Sequence, residues 1–173
     1  MKKLVIFAVV LLGIASTSFA QTARADANIL TSVSVATVRG FNFGDIFSSV
    51  AGGSVLLTAT ASEGRTGTGV TLGTGTGTSA QFTITGSGST TAPKITWPST
   101  GIILTGPGSS TMTLSLLNAI SGSGLAITSG TTLIPLDASG NATVYMGGTL
   151  TVGAKQAAGT YSNTTALAVT VAY

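Results

Sequence analysis

The last ten residues alternate without a break. Thr165, Leu167, Val169, Val171 and Tyr173 fall on one side of an extended chain, and Thr164, Ala166, Ala168, Thr170 and Ala172 fall on the other. A period of two is the mark of a strand with one buried face. The same pattern recurs upstream: Ile29, Thr31, Val33 and Val35 against Leu30, Ser32, Ser34 and Ala36, then Ala80, Phe82 and Ile84 against Gln81, Thr83 and Thr85. Shorter runs are expected as strands at Phe41–Ile46, Gly53–Ala61, Val70–Leu72, Ile95–Trp97, Ile102–Leu104, Met112–Leu116, Thr131–Ile134, Ala142–Met146 and Leu150–Val152. Beyond the N-terminal leader no segment sustains a helical period. The nearest, Leu114–Ile120, is short and closed by Ser-Gly-Ser-Gly.

Composition agrees with this pattern. Thr and Val are stiff at the first side-chain torsion and suit a pleated surface, and 24 Gly, with Ser and Asn, punctuate the turns. Short strands with turn signals every 8 to 12 residues read as an all-β antiparallel sandwich or barrel. The stretch Gly73–Ser79, GTGTGTS, is of low complexity and is expected to be a mobile hairpin tip or a weak edge.

The leader is distinct. Lys2 and Lys3 precede an apolar run from Leu4 to Ile14, and Ser18 and Ala20 stand at minus three and minus one of a cleavage site after Ala20. That is the build of a secretory signal peptide, so export by the Sec route to the periplasm and then the cell surface is expected. Residues 21–40 form an N-terminal segment or first strand, and residues 41–173 the sandwich domain. No run after the leader is long enough for a membrane-spanning helix.

A chain of 173 residues with no Cys and no His has no His- or Cys-based catalytic triad, no zinc site of the usual ligands and no disulfide framework. No enzyme activity, cofactor or metal is expected. After the leader, five cations face four acids, too few and too scattered to track phosphates, so nucleic acid is not an expected partner. Asp137-Ala138-Ser139-Gly140-Asn141 faintly echoes a calcium loop, but position 148 is Gly; a hairpin turn closed by an Asx-type bond is the simpler reading. Lys94 and Lys155 lack a Ser-x-x-Lys motif and read as solvated or edge-blunting residues. Trp97 reads as a core anchor in preference to a ligand-stacking aromatic, and Tyr161 as a residue whose hydroxyl closes a corner.

Several segments together resemble a secreted bacterial family that carries only a domain-of-unknown-function label. They are Phe43-Gly44-Asp45-Ile46, Ser79–Gly86, Lys94–Pro98, Asp137–Gly140, Val144–Val152, and Ala158–Ser162 running into Val169–Tyr173. The C-terminal part also resembles subunits of archaic, spore-coat-U-like chaperone-usher fimbriae. That second resemblance implies an incomplete immunoglobulin-like sandwich, completed by a periplasmic chaperone and then by the N-terminal strand of the next copy, with an outer-membrane usher as a further partner. The chain departs from those subunits in lacking cysteines and a long donor segment.

The candidate donor strand is Ile29, Thr31, Val33 and Val35, and the candidate partner-recognised strand is Leu167, Val169, Val171 and Tyr173. If Ile29–Val38 is instead the domain's own first strand, the protein is self-contained. The expected function is that of a secreted, non-enzymatic cell-surface subunit of a fimbria or fibre, assembled with other copies by strand complementation. A self-contained adhesin or carbohydrate-binding module is the alternative. A small outer-membrane barrel, suggested by the C-terminal aromatic, is more distant, since such barrels need aromatic girdles and a polar lumen.

Overall fold

The computed structural model of the protein describes Arg24, Ala27 and residues 32–62, 64–86, 92–163 and 167–173, with Leu116 and Leu117 described by backbone alone. Its strands are β1 (Ser34–Arg39), β2 (Ile46–Phe47), β3 (Gly53–Leu57), β4 (Arg65–Thr68), β5 (Thr71–Leu72), β6 (Ala80–Thr85), β7 (Lys94–Thr96), β8 (Ile102–Thr105), β9 (Thr111–Ser121), β10 (Ala126–Ile127), β11 (Asn141–Val152) and β12 (Thr170–Ala172). A single 3₁₀ turn, Pro107–Ser109, is the one helical element among the described residues. The protein is all-β and antiparallel, as expected.

The spine is β11. Val144, Met146, Leu150 and Val152 are buried on one face, while Thr143, Tyr145, Thr149 and Thr151 face outward. One edge of β11 pairs β6 over Asn141–Met146 and then β3 over Gly148–Val152; the other edge pairs β9. The partners change over at Gly147-Gly148. A Cβ at Gly147 would stand 2.5 Å from the Leu57 carbonyl oxygen and 2.6 Å from the Ala59 nitrogen. Only glycine lets the main chains approach so closely. On the other edge Gly147 faces Asn118 and Gly148 faces Leu116, so Leu117 is an extra residue. This bulge switches the parity of β9, with Leu114 buried before it and Ala119 after it.

The bent sheet therefore has two halves, each over its own core. In one half, β1 and β6 flank the start of β11. Ala80, Phe82, Ile84, Ala119, Val144 and Met146 pack there with Ile127 of β10 and with Ile95 and Ile134 from across the core. In the other, Val55, Leu57, Leu114, Leu150 and Val152 pack with Phe43. The facing layer is two small sheets, β7–β12 over the first core and β2–β5 over the second. Two layers over apolar cores make a sandwich. Full burial of a side chain such as Ile84, Ile95, Ile134 or Leu57 stabilises by about 1.5–3 kcal/mol, and these take the place of disulfides in a chain without cysteine.

Four expectations are corrected. Ala142–Met146 and Leu150–Val152 are one strand. Thr131–Ile134 is a loop with a single bridge, Leu133 to Lys94, and the fully buried Ile134. The ten-residue terminal strand forms a ladder only at Thr170–Ala172, with residues 164–166 outside the described ones. Gly73–Ser79 is pinned at both ends. The Arg65 guanidinium donates to its Gly73, Thr74 and Gly75 carbonyls, and Thr78 exchanges two backbone hydrogen bonds with Asn42, at 2.8 and 3.0 Å.

Candidate functional site

The two ends of the described chain meet at one seam of the sandwich. Among the described residues, β1 on one side pairs only with β6, Ser34 opposite Thr85 through Thr37 opposite Phe82. On the other, β12 pairs among the described residues only with β7, Thr170 opposite Thr96 and Ala172 opposite Lys94. The far edge of β7 is occupied by the loop 129–134, through the Lys94–Leu133 bridge and the bonds from Gly130 N to Ile95 O and Ile134 N to Pro93 O. β12 is thus the outer strand of its layer and β1 the outer strand of the other. They approach each other without forming a ladder, so among the described residues the sandwich is unclosed along this line. Among the described residues, no strand pairs with the outer edge of either.

The alternation of both strands lines the seam with apolar groups. Val33 and Val35 on one side and Leu167, Val169 and Val171 on the other are half-buried, packed on the rim of the first core. Their neighbours Ser34, Ala36, Ala168, Thr170 and Ala172 are exposed and uncharged. Tyr173 closes one end. Its hydroxyl is buried and, among the described residues, has no hydrogen-bond partner. It lies over Gly86, where a Cβ would come within 2.8 Å of it and within 3.6 Å of Val33 Cγ2. An orphaned buried donor is unusual and calls for a reason. At the far end of β1, Arg39 turns the other way, across β6: its Nε donates to the Ser79 carbonyl at 3.0 Å and its guanidinium sits 5.9 Å from the Tyr145 ring centroid.

Of the eight residues singled out from the sequence, the structure brings six together here: Val33, Val35, Leu167, Val169, Val171 and Tyr173. Ile29 and Thr31 lie outside the described residues. The role of Gly86 as the floor beneath Tyr173 had no signal in the sequence beyond a glycine ending a strand.

A second concavity lies where the C-terminal segment runs antiparallel to the chain from Lys94 to Thr105. The two are joined at Thr170–Ala172 and again at the Ser162–Thr105 bridge. Between these joints lies a groove of about 720 Å³ whose described lining includes Ile102, Ile103, Ser162, Leu167 and Pro98, the last with no N–H to offer a ladder.

The other candidates settle as structural parts. Asp137 Oδ1 accepts from Ser139 N at 2.8 Å and Asn141 N at 2.9 Å, the Asx closure of a tight turn. Among the described residues no three acidic groups converge on a metal-sized space. Trp97 packs on the first core, its backbone held by Ser129 Oγ. The Tyr161 hydroxyl donates to the Ala157 carbonyl and accepts from Gln156 Nε2, both at 2.8 Å, which closes a corner as its position suggests.

Residues 33–173 match the family model described as Domain of unknown function (DUF4402), a span that begins within the first alternating run and ends on the terminal tyrosine. No curated protein and no solved structure matches the chain.

Proposed function

The chain belongs to the DUF4402 family, and we propose that it is a secreted, non-enzymatic structural subunit of a cell-surface fibre, assembled by strand complementation between copies. The observation that carries this reading is the seam: two outer strands, β1 and β12, facing each other over a half-covered apolar floor, with their outer edges unpaired among the described residues. An edge of this kind binds extended chain by adding it to the sheet, main-chain bonds supplying affinity and alternate side chains specificity. Monomeric sandwiches blunt such edges with lysines, prolines or bulges. Here β1 has a bulge at Val38, but the exposed positions from Ser34 to Ala36, and from Ala168 to Ala172, are Ser, Ala and Thr. A periplasmic chaperone holding the seam before assembly, and an outer-membrane usher, fit the same reading, as does export through the N-terminal leader.

The test is assembly of the mature chain from residue 21. Purified protein, concentrated and incubated, is followed by light scattering and negative-stain electron microscopy. Head-to-tail fibres growing with concentration are expected. A chain that stays monomeric at every concentration overturns the reading.

The groove between β8 and the C-terminal segment favours a second reading, a self-contained adhesin or carbohydrate-binding module. Its volume, about 720 Å³, is in the range of small-ligand sites, and β1 is already supplied by the chain itself. A saturable glycan response from a monomer that never assembles selects this reading.

A further inference from the structure

One end of the sandwich holds two apolar side chains out in water beside a cation. The geometry points to this end, the loop after β2 together with the loop after β11, as a docking tip for an anionic lipid surface: Phe47 and Val50 enter the interface and Lys155 meets the headgroups. The site is remote from strand pairing and does not rest on the fibre reading.

The apolar part is exceptional for this protein. Among the described residues Val50 is the most exposed large apolar side chain, at 76%, and Phe47 follows at 63%. They stand three positions apart, and Ser48, Ala51, Ala154 and Ala157 around them are exposed, small and uncharged. A single exposed apolar residue is ordinary, whereas a pair of this size rimmed by polar groups marks a contact.

The tip is also braced. The Ser49 carbonyl accepts the Gly52 N–H at 3.4 Å and the Lys155 N–H at 2.9 Å. The Ser49 hydroxyl donates to the Gly52 carbonyl at 3.1 Å, and the Ser48 hydroxyl to the Gln156 carbonyl at 3.3 Å. Gln156 is itself held, its Oε1 accepting Gly153 N–H and its amide donating to the Thr111 carbonyl and the Tyr161 hydroxyl. Gly52 has a positive φ of 78°, and a Cβ there would stand 2.8 Å from the Ala154 nitrogen. The two loops are thus one unit that fixes Val50 away from the core. Main-chain groups paired inside the protein enter an interface without being stripped of water.

Charge selects the surface. Lys155 is the one ionisable residue in 46–52 and 153–160, and its bond to Ser49 places it beside Val50. The nearest acid along the chain, Asp45, accepts the Thr74 hydroxyl and has the Arg65 guanidinium on its carbonyl, so the balance at this end is positive. Apolar groups that dip below the headgroups, with an ammonium at their level, make a peripheral anchor for an anionic bilayer. A small ligand needs a concavity, which two side chains standing clear of the surface do not offer. A fluid bilayer needs none. One tip binds weakly and reversibly, and several on one assembly hold by avidity.

The native chain has no cysteine, so V50C carrying an environment-sensitive fluorophore reports on the tip alone. S123C, on the exposed turn beyond the opposite end of β9, is the control for insertion driven by the dye. Both, in the mature chain from residue 21, are titrated with vesicles of phosphatidylcholine and with vesicles of phosphatidylcholine and phosphatidylglycerol in equal parts. A blue shift of V50C on the anionic vesicles, weaker on the neutral ones and absent from S123C, is expected. In co-sedimentation of unlabelled protein, F47S/V50S should partition about a hundredfold less than the parent, roughly tenfold for each side chain, and K155Q about fivefold less, with both variants melting as the parent does. No shift of V50C on either vesicle, or equal partitioning of F47S/V50S and the parent, overturns the proposal. A V50C shift that follows protein concentration and ignores lipid puts a second copy at the tip and overturns it too. Fibre growth is measured without lipid, so neither outcome bears on strand-based assembly.

Discussion

Arg65 and Asp45 meet through the main chain: Nη1 of the guanidinium donates to the Asp45 carbonyl oxygen at 2.8 Å, while the Asp45 carboxylate accepts the Thr74 hydroxyl at 2.7 Å. The same guanidinium also reaches the carbonyls of Phe43, Gly73, Thr74 and Gly75. One side chain on β4 thus gathers five backbone oxygens from the chain before β2 and the loop after β5, the segments that lid the second core.

Removing this cation takes one donor from each of those oxygens, of which Asp45 O keeps Gly73 N and Thr74 O keeps Asp45 N. A charge-assisted bond is worth about 1.5–3 kcal/mol and the bonds are not additive, so R65A is expected to lose roughly 2–4 kcal/mol. At about 2–4 °C per kcal/mol for a chain of this size, calorimetry should register a fall in Tm of roughly 5–15 °C. R65K should recover less than half of it, since an ammonium is a compact charge without the planar fork that spans several acceptors. Equal stability of R65A and the unsubstituted protein refutes the clamp.

Gly147 gives the second prediction. A methyl group there meets backbone atoms of Leu57 and Ala59 at 2.5–2.6 Å, and backbone cannot swing aside as a side chain can. G147A is expected to cost about 2–4 kcal/mol through strain at the bend of β11. The control is G122A, whose added methyl finds Thr143 Cβ at 3.5 Å, an ordinary contact; it should stay within about 0.5 kcal/mol of the parent. Chemical denaturation of the pair decides the matter.

That same glycine pair hides the length of β11 from a reader of the sequence. Ala142–Met146 and Leu150–Val152 are legible as strands from their alternation, yet Gly-Gly between them looks like a turn, because glycine serves both to reverse a chain and to let chains touch. β4 leaves no trace in the pattern: Arg65-Thr-Gly-Thr has no apolar residue to alternate, and its place is set by pairing to β3 and by the Arg65 clamp. The Gly73–Ser79 run looks mobile by composition and is held by bonds from a residue eight positions upstream. At the seam, both terminal strands are legible from their period of two. Their juxtaposition is not, since it depends on where β6 and β7 carry them.

The two tyrosines near the C-terminus should respond oppositely to loss of the hydroxyl. Tyr161 makes two bonds at 2.8 Å, to Ala157 and from Gln156, so Y161F is expected to lose about 1 kcal/mol. The buried Tyr173 hydroxyl has no partner among the described residues, and replacing such a group with hydrogen should be neutral or stabilise by up to about 1 kcal/mol. Thermal melts of the monomer should therefore place Y173F at or above the parent and Y161F below it. A loss in Y173F equal to that of Y161F would mean that the Tyr173 hydroxyl is satisfied in solution.

The seam makes the last prediction separate assembly from stability. Ala36 on β1 and Ala172 on β12 are exposed and lie on outer strands, so a longer side chain at either position extends into solvent and leaves both cores untouched. Substitutions of this kind usually change monomer stability by no more than about 0.5 kcal/mol. A charge there obstructs an incoming strand, since its ammonium must either lose water or push the strand away, which is how natural edges are protected. A36K/A172K is therefore expected to melt as the parent does and to fail to form fibres at concentrations where the parent does so, with A36S/A172S assembling normally. Sedimentation velocity read beside the melting curve provides both quantities on one sample. Unchanged assembly of the lysine variant would place the contact between copies elsewhere on the sandwich, with the β8 groove next in line.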